Sequence, residues 1–136
     1  MIQRIQSVWL AVGVLCGTMG MVLPLGVTIA TAPNVGLIIH NDFISMSLQF
    51  FGTVGAIATI FQFKNRRLQM KIAKIFGGVF LAAFSWEIWK VVVQTHGMAT
   101  VKPGLFLTAL AGACCLMAGR AIQKDEALVK SIDRLR

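Results

Sequence analysis

Apolar residues fall in four blocks, each continuous rather than alternating. The first covers 8–27 and the second 43–63, both without a charge. The third covers 72–93, interrupted by Lys74 near its start and by Glu87 and Lys90 near its end. The fourth covers 103–119, and Ala121 and Ile122 extend it past Arg120. A helix needs roughly 20 apolar residues to cross the hydrocarbon core. Strands of a membrane barrel would alternate polar and apolar over about 9–11 residues, and these runs do not. Backbone in lipid must satisfy its own hydrogen bonds, as a helix does. The pattern predicts an all-α, four-transmembrane-helix bundle, a single integral membrane domain over 1–136, with a tail over 120–136.

The connectors fit that plan. Asp42 is placed to cap the second helix, and Gly97 to stop the third. Pro33, Asn34 and Gly36 mark a turn in the loop 28–41, whose segment 35–39 is apolar enough to dip into the interface. Lys64, Asn65 and Arg66 form a tight turn, making the second and third helices an antiparallel hairpin. Arg4, an apolar run and Ala30, Thr31 and Ala32 have the outline of a signal peptide. A signal's apolar core runs to about 7–15 residues, however, and this one is longer. Cys16 follows Leu15, too bulky for a lipoprotein processing site, and reads as a small buried helix residue.

Composition agrees, and charge adds a direction. Hydrophobic residues make up 57%, charged residues 13%, and mean hydropathy is +0.76. Soluble domains carry roughly 25% charged residues, so neither a soluble domain of this size nor a disordered chain fits. A net charge of +8 would hint at nucleic acid in a polar protein. Here the cations sit between apolar runs, so no nucleic-acid partner is expected. Eleven of the thirteen Lys and Arg fall on one side: Arg4, Lys64, Arg66, Arg67, Lys71, Lys74, Arg120, Lys124, Lys130, Arg134 and Arg136. Lys90 and Lys102 fall on the other. Positive residues stay in the cytoplasm, so four crossings place both termini on the cytoplasmic side of a bacterial inner membrane. Trp86 and Trp89 then lie at the outer end of the third helix, where aromatic belts form.

Lipid does not drive apolar helices together, so small residues that allow close approach matter. Gly13 and Gly17 supply such a step on the first helix, Gly52 and Ala56 on the second, Gly78 and Ala82 on the third, and Gly104, Thr108 and Gly112 on the fourth. Each stripe serves packing within the bundle or docking of a partner helix. In the tail, Ala121, Leu128, Ile132 and Leu135 recur near one face, with Ile122 and Val129 beside them, and Asp125 interrupts that face. Glu126 stands four before Lys130, the favourable order for a helical pair. This is the pattern of a C-terminal cytoplasmic amphipathic helix, continuing from the fourth span or bent onto the inner leaflet. Its cations would favour anionic lipid. With the inner turn it offers an interaction surface: Lys64, Arg66, Arg67, Lys124, Lys130 and Arg134.

Glu87 is the most unusual residue. It lies thirteen residues past Lys74, about 20 Å up the helix, in the outer third of a core about 30 Å thick. Lys90 shares its face three residues on. The pair reads either as an interfacial ion pair beside the two tryptophans or as an ion or proton site, since ionisable groups in spans are costly and often functional. His40 and His96 lie in loops at span ends, poorly placed to ligate haem. Cys16, Cys114 and Cys115 lack zinc spacing and a CxxC pair, and no nucleotide-binding or hydrolase motif occurs. No metal, no cofactor and no catalytic residue is therefore expected. Gln49 reads as an interhelical hydrogen bond.

Three stretches stand out together: MIQRIQ at 1–6, KNRRLQ at 64–69, and AIQKDE at 121–126 running on to SIDRLR at 131–136. They resemble a family of small four-span inner-membrane proteins of Bacteroidota, known as a domain of unknown function. The resemblance spans the whole chain, supplies no catalytic residues, and implies that the inner face carries the distinctive sequence. Four-span multidrug exporters are of similar size, but their essential Glu lies in the first span, which has none here. The expectation is a non-enzymatic accessory or scaffold subunit of a larger membrane complex, with a membrane-protein partner or a second copy. The alternative is a small oligomeric ion- or proton-coupled transporter or channel using Glu87.

Overall fold

The computed structural model describes residues 3–23, 43–62, 65–95 and 103–133. Asp42, Lys64, both histidines, Gly97, Lys102, Arg134 and the loop 28–41 lie outside the described residues, as does the side chain of Lys130. Among the described residues there are four helices and no strand: α1 (Gln3–Val22), α2 (Phe43–Phe61), α3 (Arg66–Thr95) and α4 (Pro103–Asp133). All four are long and apolar enough to cross a membrane. Pro103 opens α4, where a missing N–H costs no helical hydrogen bond. The α2–α3 connection is short. Asn65 N–H donates to the Gln62 carbonyl at 3.3 Å, and its own carbonyl accepts the first bond of α3, from Gln69 N–H at 2.9 Å.

The helices close into a ring in which α1 packs on α2 and α4, and α3 packs on the same two. Neighbours are antiparallel. Gln6 near the start of α1 bonds to Asp125 near the end of α4, and a side chain on Gly20 would meet Thr108 Oγ1 and the Gly104 carbonyl, near α4's start. One end of the bundle therefore gathers the start of α1, the end of α2, the start of α3 and the end of α4. This is the basic end.

Small residues bring the helices together around one large ring. Phe80 of α3 is fully buried beside Ala56, Ala111 and Cys115. A Cβ on Gly17 of α1 or on Gly52 of α2 would lie 3.0 Å from Phe80 Cζ. On the other flank, Cβ atoms on Gly77 or Gly112 would each come within 3.3 Å of the other glycine's carbonyl oxygen. Leu10, Ala73 and Ala118 form a second buried cluster. Large apolar side chains such as Phe50, Phe51, Phe61, Ile75 and Phe106 point outward, which suits a chain whose solvent is lipid.

Three expectations change. Gly78 and Ala82 are exposed, and a Cβ on Gly78 would meet nothing within 4 Å. The packing stripe of α3 runs one residue earlier, through Ala73, Gly77 and Phe80, because one residue turns the helix by about 100°. Next, α3 and α4, with 30 and 31 residues, run beyond the apolar blocks that marked them. Of the two forms expected for the tail, the described residues show the continuation of the fourth span: they are the last turns of α4. Finally, its inward face is centred on Ile122 and Asp125, both buried, while Leu128 and Val129 face outward.

Candidate functional site

α2 has an unusual interior. Its buried residues are Ser45, Gln49, Gly52, Thr53, Gly55, Ala56 and Thr59, and none is an apolar residue larger than alanine. The helix turns its phenylalanines to the outside and its polar groups to the bundle. The threonine hydroxyls bond back to the preceding turn, Thr53 Oγ1 to the Gln49 carbonyl at 2.8 Å and Thr59 Oγ1 to the Gly55 carbonyl at 2.7 Å. These bonds satisfy the hydroxyls locally. Gln49 is too long for that and reaches across the bundle.

Its reach defines the site. Gln49 Nε2 donates to Glu87 Oε1 of α3 at 2.8 Å and to Thr108 Oγ1 of α4 at 3.2 Å. Thr108 Oγ1 in turn donates to the Gly104 carbonyl at 3.2 Å. α1 contributes Gly20, where a Cβ would stand 3.7 Å from Gln49 Oε1 and 3.3 Å from Thr108 Oγ1. All four helices thus converge on one amide and one carboxyl group. Glu87 is 1% exposed and Lys90, one turn on, 7%. The structure puts both inside the bundle, because the α3 rotation that seats Phe80 also turns Glu87 inward. Trp86 and Trp89 stack at 5.1 Å between ring centroids, with Trp89 exposed.

A second polar group holds the basic end. Gln6 Nε2 donates to Asp125 Oδ2, and both residues are buried. Asp125 does not interrupt an exposed stripe; it is the inward anchor that ties α4 to α1. Gln69 Nε2 donates to the Thr59 carbonyl at 3.1 Å, joining α3 to α2. On the surface Arg67 Nε pairs with Glu126 Oε1 at 2.8 Å, and Lys74 Nζ donates to Gln123 Oε1 at 2.8 Å, joining α3 to α4. Sequence reasoning missed Gln6 and Asp125 as a pair, since nothing local links residues 119 apart.

The remaining candidates separate cleanly. Gly13, Gly17, Gly52, Ala56, Gly104, Thr108 and Gly112 are buried at helix contacts, whereas Gly78 and Ala82 are not. Arg66 is half-buried, and Arg67 and Lys124 are exposed. Cys16, Cys114 and Cys115 are free thiols, and among the described residues no three His, Cys, Asp or Glu side chains cluster as a metal site would require.

Fold and site together define a multi-pass membrane protein, a four-helix bundle holding a buried carboxyl group between its helices. No curated protein and no solved structure matches the chain. The match is to a family model, described as Domain of unknown function (DUF4293), over residues 2–135. The chain belongs to that family.

Proposed function

We propose that this is a non-enzymatic protein of the bacterial inner membrane, with both termini cytoplasmic, that carries ions or protons by binding at Glu87. The observation behind this reading is the burial of Glu87 where the four helices converge, bonded by Gln49. A carboxyl group at membrane depth is costly to place and often functional. The accessory-subunit reading rests instead on the inner turn and tail. There, Arg67 is engaged within the chain by Glu126.

Glu87→Gln tests the proposal. Its amide has the shape of the carboxyl group and keeps a hydrogen bond to Gln49, but it cannot bind and release a proton. In proteoliposomes the wild-type protein is expected to support a pH- or ion-gradient-driven flux, and the variant to insert and fold while losing it. Equal flux from the two proteins would remove Glu87 from the mechanism, and a silent wild type would sink the transport reading.

A further inference from the structure

The basic end carries an inference independent of Glu87. The tail sequence mixes signs, with Asp125 and Glu126 among its cations. The structure sorts them. Asp125 is 7% exposed and bonded to Gln6, and the Glu126 side chain is 19% exposed and bonded to Arg67. Lys71, Lys74, Arg120 and Lys124 all face outward. Among the described side chains of this end, the carboxylates are drawn in, whereas Arg67, Lys71, Lys74, Arg120 and Lys124 are left on the surface and Arg66 is half-buried.

The cations also form two adjoining rows. Arg67, Lys71 and Lys74 recur on one face of α3 at helical spacing, and Arg120 and Lys124 on one face of α4. The Lys74–Gln123 and Arg67–Glu126 bonds hold the two helices side by side here. Gly119 lets the Lys74 stem lie across α4, since a Cβ there would come 3.0 Å from Lys74 Cγ. Toward the bundle centre the rows adjoin exposed apolar residues, Ile75 on α3 and Met117 on α4; cations flanking an apolar span in this way suit the level of phospholipid phosphates.

We infer that Lys71, Lys74, Arg120 and Lys124 form a binding surface for the phosphates of anionic phospholipids in the membrane that the protein spans. Charge complementarity selects this occupant. A neutral headgroup gains nothing from cations stripped of nearby carboxylates, whereas an anionic one gains about fivefold in association per Lys or Arg near the surface. The apolar wall below the cations, with Ile75 outward on α3, accepts the acyl chains at the same time. A soluble phosphate has no use for that wall.

The test uses the full-length protein in phosphatidylcholine bilayers containing a trace of spin-labelled phosphatidylglycerol or spin-labelled phosphatidylcholine. The motionally restricted fraction in the electron spin resonance spectrum reports lipid held at the protein surface. Phosphatidylglycerol is expected to be preferred several-fold. High salt should reduce the preference, and the combined Lys71→Gln, Arg120→Gln and Lys124→Gln variant should lose most of it. A variant with Arg at both lysine positions should retain it, which separates charge from damage to the fold. Equal restriction of the two lipids by the wild type would overturn the inference. So would displacement by inorganic phosphate beyond that of chloride at matched ionic strength, which would assign the surface to a soluble anion. Efficient cross-linking of Lys71→Cys between two chains, with no lipid preference, would assign it to a second copy and equally overturn it.

Discussion

Gly52→Ala should destabilise the bundle, although alanine is the better helix former. A Cβ at position 52 would stand 3.0, 3.1 and 3.2 Å from Phe80 Cζ, Cε1 and Cε2. The ring has nowhere to retreat. A Cβ at Gly17 would meet the same Cζ from α1 at 3.0 Å, and one at Gly112 would meet Phe80 Cβ from α4 at 3.2 Å. Overpacking a filled core costs about 1–3 kcal/mol, and the helix propensity of alanine returns at most about 1 kcal/mol. A net loss of about 1 kcal/mol is expected. Gly78→Ala gains the same propensity and meets no atom within 4 Å, so it should lose nothing. Phe80→Leu removes the far end of the ring. In that background Gly52→Ala should become neutral or better, a coupling of at least about 1 kcal/mol. Reversible unfolding in mixed micelles, titrated with a denaturing detergent, measures all four corners of the cycle. Equal effects of Gly52→Ala and Gly78→Ala, or a cost at position 52 that persists in the Phe80→Leu background, would refute the socket.

Asp125→Leu leaves the Gln6 amide buried without its acceptor and should cost about 1–3 kcal/mol in the same unfolding assay, whereas Asp125→Asn keeps an acceptor and should cost clearly less. Identical losses would mean that the Gln6 bond contributes nothing. Arg67→Gln breaks an ion pair whose arginine side chain is 73% exposed, so the loss should stay below about 1 kcal/mol and shrink further with added salt. A larger or salt-independent loss would contradict a surface pair.

The number of helices and their approximate places were legible because a span needs length and continuous apolarity, and 8–27, 43–63, 72–93 and 103–119 supply both. Rotation was harder to read, because a membrane helix is apolar toward lipid as well as toward its neighbours. Small and polar residues then mark the inside, and on α2 they agree, Gly52 and Ala56 lying with Ser45, Gln49 and Thr59. On α3 two adjacent glycines offered two stripes. The Gly78–Ala82 spacing is a packing motif by itself, but Glu87 lies nine residues past Gly78, about half a turn around the helix. The two cannot both face the bundle. Gly77 lies about 80° from Glu87, and the choice between the glycines was therefore encoded in the position of the carboxyl group.

The same point explains what the sequence hid about the site. Counting from Lys74 gives Glu87 a height along the helix but no direction around it, and an interfacial ion pair and an interior carboxyl group can share one height. The direction follows from Phe80, whose ring must enter the space that Gly17 and Gly52 leave open. Glu87 stands seven residues on, two turns along nearly the same face, so seating the ring carries the carboxyl group inward to Gln49 and Thr108. At the basic end the corresponding information is long-range. Asp125 reads as an interruption of the tail's apolar face until Gln6, from the other end of the chain, is placed beside it. Apolar runs set where each helix stands in the membrane; the polar residues set which way it faces, through partners that the chain order does not reveal.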